Sequence, residues 1–195
     1  MEWLTTSTIL ASLRDFNNQA AWDRFVGRFR IPITRFAQSV GLTEIDSDDV
    51  AQETLVAFVE QYRRGDFDRE RGRLSQWIFG IAYRKALHER RNKLRRPAEL
   101  GSAAGHEPDR VDDSDRLSAI WDREWEENVL AQCLDQVQRE VKPQTFRAFE
   151  LVVREALPAA RVAEMLGVEI KLVYNAKHRI LQRVRELRAE YESLP

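Results

Sequence analysis

The chain has 195 residues, 43% of them hydrophobic, and 31 Lys and Arg stand against 32 Asp and Glu for a formal net charge of −1. This length and apolar content suit one medium domain or two small ones and exclude disorder throughout, while near-neutrality taken whole argues against a nucleic-acid partner. Apolar runs stay far short of the roughly 20 residues that span a bilayer, so no membrane insertion is expected.

Met1 to Leu13 carries no basic residue before Arg14 and so lacks the positive start of a secretory leader; the expected location is the cytoplasm. Cys133 has no second cysteine to pair with, and His88, His106 and His178 are widely spaced. Neither a disulfide nor a Cys/His zinc cage is expected, and no metal or other cofactor. Divided along the chain, the charge is far from even: −4 over residues 1–62, +8 over 63–96, −7 over 97–127 and +2 over 128–195. A polyanion-binding surface beside an acidic linker produces such segregation, although helix faces solvated by whatever charge is at hand produce it too.

Glycine and proline are scarce and cluster at a few points, Gly27, Pro32, Gly41, Gly65, Gly72, Pro97 to Pro108, Pro143, Pro158 and Gly167, and helical periodicity fills the spaces between. Asp46-Ser47 reads as an N-cap, with Asp48 and Asp49 in the first turn. Ala51, Leu55, Phe58, Val59 and Tyr62 then recur along one face to about Arg64. The opposite face holds Asp49, Gln52, Glu53, Val56 and Glu60, a mixed acidic and apolar strip suited to docking on a protein, or to plain solvation. A charged turn, Phe67 to Arg73, follows, with an aromatic at its start that suits an unstacked base. Leu74, Ile78 and Ile81 mark the next buried stripe, with Trp77 read as core. On that helix Arg84, His88, Arg91 and Arg95 stack along one side, with Lys85 and Asn92 adjacent, and can track a phosphate backbone. Pro97 ends it.

The next stretch, to Asp115, has two Pro, two Gly, six acids and no aromatic, and reads as a linker. A helical stripe resumes with Leu117, Ile120, Trp121, Val129, Leu130, Leu134 and Val137. The expected organisation is a domain over 1–96, a linker over 97–116 and a second domain over 117–195. No strand alternation is found, so the expected class is all-α.

Near the C-terminus Pro158 suits the first position of a helix, Val162, Ala163 and Leu166 follow, and Gly167 suits a positive-φ stop. Val173, Ala176, Ile180, Val184 and Leu187 then line a second helix, which completes a helix-turn-helix. Opposite that stripe lie Lys171, Asn175, His178, Gln182 and Arg185, with Tyr174 and Arg179 flanking. Such a face suits a major groove: Asn175 can pair bidentately with adenine, and Lys177, Arg179, Arg183 and Arg188 can neutralise phosphates. A generic helical pair with a glycine turn and a basic surface is the plainer reading.

Three motifs in order resemble the extracytoplasmic-function sigma factors of bacterial RNA polymerase, which join a region 2 domain through a linker to a region 4 domain. Asp49-Val-Ala-Gln52-Glu53 is similar to the family's D-L-V-Q-E, and Phe67-Asp-Arg-Glu-Arg71-Gly72 with Trp77 five residues on is similar to F-D-P-E-R-G. Val162-Ala-Glu-Met-Leu-Gly-Val168 with Val173 and Arg179 is similar to region 4. The resemblance implies core RNA polymerase, through its β′ clamp helices and β subunit, and promoter DNA as partners, and allows an anti-sigma factor as a third. It implies core binding by Asp49, Gln52, Glu53 and Val56. It further implies contact with the −10 element by Phe67, Arg71, Arg73, Arg84, Lys85, His88, Arg91, Asn92 and Arg95. Contact with the −35 element falls to Lys171, Tyr174, Asn175, Lys177, His178, Arg179 and Arg183.

The chain also departs from the family pattern. Tyr83-Arg84 and His88 stand where an Arg-Asn pair and Asp are usual, Leu172 where Thr is, Tyr174 where Lys is, Ala176 where Arg is, and Glu169 where a capping Ser is. Promoter sequence is therefore not carried over. No nucleophile and base pair, phosphate-cradling glycine loop or paired metal ligands are found, so no catalysis is expected. The alternative function is a helix-turn-helix regulator that binds DNA without polymerase.

Overall fold

The computed structural model describes residues 6–15, 17–68, 70, 72–95 and 113–192. Eight α-helices and no strand occur among them: α1 (Thr6–Ser12), α2 (Gln19–Ser39), α3 (Glu44–Arg64), α4 (Leu74–Arg95), α5 (Asp113–Glu140), α6 (Pro143–Val153), α7 (Ala159–Leu166) and α8 (Ile170–Glu192). The chain is all-α, as its periodicity indicates. None of these helices is long and apolar enough to cross a membrane.

Contacts divide the chain into a unit over Ile9–Asn128 and a second that joins the chain from Val129 on to the start of α1, up to Thr8. The division lies inside α5 rather than at 116/117. Of the expected linker, residues 97–112 lie outside the described residues, and 113–116 form the first turn of α5. The helix belongs to the first unit up to residue 128 because Trp121, fully buried, packs on Phe79 at 5.6 Å and edge-on to Phe36 at 6.0 Å. One turn later Trp125 stacks on Phe29 at 5.0 Å. Such aromatic pairs contribute about 1 kcal/mol each beyond the area they bury.

The first unit is built on α2, whose Phe25, Phe29, Ile33 and Phe36 are buried at helical spacing. Asn18 caps it, its side chain accepting from the Ala21 amide at 3.1 Å. Gly27 and Pro32, expected to break the chain, both lie inside this helix. Pro32 has no N–H for the carbonyl of Arg28 four residues back. Asn128, itself buried, donates its side-chain amide to that carbonyl at 3.1 Å, which satisfies it from another helix. Phe58 of α3 stacks on Phe25 at 4.6 Å, and Ile78, Ile81 and Ala82 of α4 close the core.

α3 starts earlier than Asp46-Ser47 suggests. Thr43 is the N-cap, accepting from the Asp46 amide at 3.4 Å, with Glu44 and Asp46 in the first turn. Ser47 is a buried residue of the helix interior. At the other end Gly65, at φ +78, forms the left-handed cap, a conformation that a side chain resists.

In the second unit α6, α7 and α8 enclose Ala148, Leu151, Val162, Ala163, Val173 and Ala176. Pro158 is the cap before α7 rather than its first residue, and Gly167 ends α7 at φ +62. Ala156, after α6, also takes positive φ, at +55, the only non-glycine described residue to do so. From α5, Val129 and Val137 are buried as expected, whereas Leu130 is exposed.

Candidate nucleic-acid interface

On α3 the buried residues Val50, Ala51, Thr54, Leu55 and Phe58 face the core, which turns Asp49, Gln52, Glu53, Val56 and Glu60 outward, all exposed. Asp48 does not join them. It pairs with Arg30 at 3.3 Å and accepts from the Thr34 hydroxyl at 3.3 Å, tying α3 to α2. Because α3 begins at Glu44, Ile45 enters the helix and lies on one row with Asp49, Gln52 and Val56, at steps of four, three and four. Ile45 is 77% exposed and Val56 58%, so the strip carries two apolar side chains. Sequence reading missed Ile45 because it placed the helix start after it.

On α4, Arg84, His88 and Arg91 are exposed along one side, as their spacing demands, and Asn92 is half-buried beside them. The lysines behave differently. Lys85 Nζ donates to Glu53 of α3 at 2.9 Å, and Lys93 is hydrogen-bonded to Asp46 at the start of α3. The Lys93 ammonium, first, and the Thr43 hydroxyl, second, hold the Asp46 carboxyl below the usual carboxylate range. Two cations of the +8 segment are thus committed to α3, and the outward charge of α4 rests on its arginines. Arg95 ends α4, and its side chain lies outside the described residues.

In the turn between α3 and α4, Phe67 is half-buried. Its ring stands edge-on to Trp77 at 5.6 Å and lies 6.4 Å from Tyr62. Trp77 is half-buried too, with its indole N–H donating to Gln61 at 3.0 Å. Asp68 accepts from the Glu70 amide at 2.9 Å, which tightens the turn. Gly72, at φ +145, adopts a backbone closed to most side chains. Arg73 is exposed, and Arg71 lies outside the described residues.

On α8 the stripe of Val173, Ala176, Ile180, Val184 and Leu187 is buried, which leaves Lys171, Tyr174, Asn175, Lys177, His178 and Arg179 exposed. Arg183 is different. Its Nε and Nη2 donate to Glu140 at the end of α5 at 2.8 and 3.2 Å, and its Nη1 lies 3.3 Å from Glu186 and 3.6 Å from Glu190. The Arg183 guanidinium is the first cause that holds the Glu140 carboxyl below its usual range. Arg183 therefore fastens α8 to α5 within this unit, unlike the outward cations of the first three turns.

Sequence comparison adds a second line of evidence. The family model described as Sigma-70 region 2 matches residues 25–96, which run from Phe25 in α2 to the end of α4. The RNA polymerase sigma factor CnrH of Cupriavidus metallidurans is 36% identical over 77 residues, 40% of this chain and 39% of that protein. The ECF RNA polymerase sigma factor ShbA of Streptomyces griseus is 32% identical over 147 residues, 72% of this chain and 70% of that protein.

Proposed function

Since the chain belongs to the extracytoplasmic-function family of RNA polymerase sigma factors, we propose that it joins core polymerase and directs it to promoters, the first unit serving as region 2 and the second as region 4. Core binding falls to the outward row of α3, Ile45, Asp49, Gln52 and Val56, with Glu53 beside it, on the β′ clamp helices. The −10 element falls to Arg84, His88 and Arg91 of α4 and to the Phe67 turn, and the −35 element to the first three turns of α8. Strand opening without ATP follows from this division: unstacking a base costs a few kcal/mol, which a pocket and phosphate contacts offset. An anti-sigma partner would act by covering the α3 row and the α7–α8 face.

The observation that supports this reading over a regulator acting alone is the α3 row. Carboxylates beside exposed isoleucine and valine are repelled by DNA but suit a protein surface, and a plain helix-turn-helix regulator needs no such row. Reconstitution of the full chain with core polymerase on a promoter pool, read by run-off transcription, tests it. Co-elution with core enzyme and new transcripts are expected, with Asp49→Lys lowering core affinity about tenfold. Arg84→Ala with Arg91→Ala lowers promoter opening and leaves core binding intact. Failure to co-elute overturns the reading.

A further inference from the structure

Ten large hydrophobic side chains are exposed among the described residues, and four of them, Met165, Ile170, Leu172 and Tyr174, fall within ten positions at the turn into α8. Leu172 is 55% exposed in the first turn of α8 and takes no part in the core that Val173 and Ala176 form with Leu151, Val162 and Ala163. One residue before Val173, it stands about 100° round the helix from that stripe. Steps of three and four put it on a row with Asn175 and Arg179, both exposed, and next to exposed Lys171.

A leucine among cations gains nothing from water, and burying it against an apolar group on binding is favourable. The cations say what binds there: exposed Lys171 precedes it and exposed Arg179 lies on its row, with exposed Lys177 farther along the helix, against Glu169 at the helix start, so the complementary partner is a polyanion rather than an apolar protein surface. The first residues of the second helix of a helix-turn-helix meet base edges, and the apolar group that the major groove offers there is the C5-methyl of thymine. We propose that Leu172 is a specificity-determining residue that reads a thymine methyl in the promoter element bound by α8, beside the base contacted by Asn175. This rests on α7–α8 being the DNA reader of the function proposed above.

The test uses the full chain in complex with core polymerase. Duplexes are selected from a pool randomised over the upstream element, and each thymine of the selected site is then replaced by deoxyuridine, which removes the methyl alone. At one position deoxyuridine is expected to weaken wild-type binding about fourfold, with no such penalty for Leu172→Ala and a retained one for Leu172→Met. Equal binding of thymine and deoxyuridine duplexes by the wild type overturns the inference, as does a penalty that persists in Leu172→Ala. A loss with Leu172→Ala that is uniform over all templates and indifferent to deoxyuridine assigns the side chain to a protein contact and also overturns it. If no upstream sequence is selected, α8 is not a DNA reader and the underlying reading fails first.

Discussion

Arg183 in α8 grips Glu140 at the end of α5 with two parallel hydrogen bonds, 2.8 and 3.2 Å long, across 43 residues of sequence. Bidentate pairs of this geometry are the stronger kind of ion pair, and each partner side chain is about one-third exposed. Arg183→Ala should therefore destabilise the protein by about 1 kcal/mol while leaving the salt dependence of promoter binding unchanged. Arg179→Ala, outward on the same helix, should do the opposite: unchanged stability, and a slope of log affinity against log salt reduced by about 1. Thermal denaturation and a salt titration of polymerase-bound promoter affinity separate the two.

Asn128→Ala removes the amide that satisfies the Arg28 carbonyl in place of Pro32. A buried acceptor left without its partner costs about 2 kcal/mol, which urea unfolding would register as a lower midpoint. In the Pro32→Ala background the helix regains an N–H for that carbonyl, so the cost of Asn128→Ala should fall by about 1 kcal/mol. Full additivity in this double-mutant cycle would show that the two residues do not share the acceptor.

Ala156 holds φ +55 after α6, and the Leu157 amide reaches the Leu151 carbonyl at 3.0 Å across the turn. Glycine meets no steric penalty at such a position. Ala156→Gly should raise stability by about 0.5 kcal/mol, the relief of left-handed strain less the added freedom of the unfolded chain. A lower melting temperature for this variant would contradict it.

Acid should loosen two joints. The Asp46 and Glu140 carboxyls are both held below their ordinary values, chiefly by Lys93 and Arg183. A carboxylate with a depressed folded-state pKa contributes stability above its unfolded pKa, and the contribution is lost as pH falls through the folded value. Asp46→Asn should therefore be less stable than wild type at pH 7, by under about 1 kcal/mol for a pair that keeps part of its surface in water. The gap should close as pH falls below about 4. Urea midpoints at pH 7 and pH 3 measure it; a gap that widens in acid would reverse the sign assigned.

Local chemistry made much of this molecule legible. Gly65 and Gly167 stop their helices where the sequence says they should, and the buried stripes of α4 and α8 follow from spacing alone. What escaped sequence reading depends on partners distant in the chain. Pro32 looks like a break because its remedy, Asn128, lies 100 residues away. Arg183 and Lys85 look like outward cations because Glu140 and Glu53 meet them only after folding. Asp46-Ser47 reads as a cap on acidic pattern although Thr43 is the cap, and that error of one turn hides Ile45. Ala156 offers no glycine to announce its turn.

Asn128 also sets an order of events during synthesis. While the ribosome has made α2 to α4 but not yet the first half of α5, the Arg28 carbonyl has no amide from Asn128, and Phe29, Phe36 and Phe79 lack the indoles of Trp121 and Trp125. The nascent first unit can collapse at that stage but cannot finish its core. Native contacts between segments so far apart in the chain also slow folding, since the loop must close before they form. A fragment ended at residue 96 would be held permanently at this unfinished stage, with apolar rings open to water.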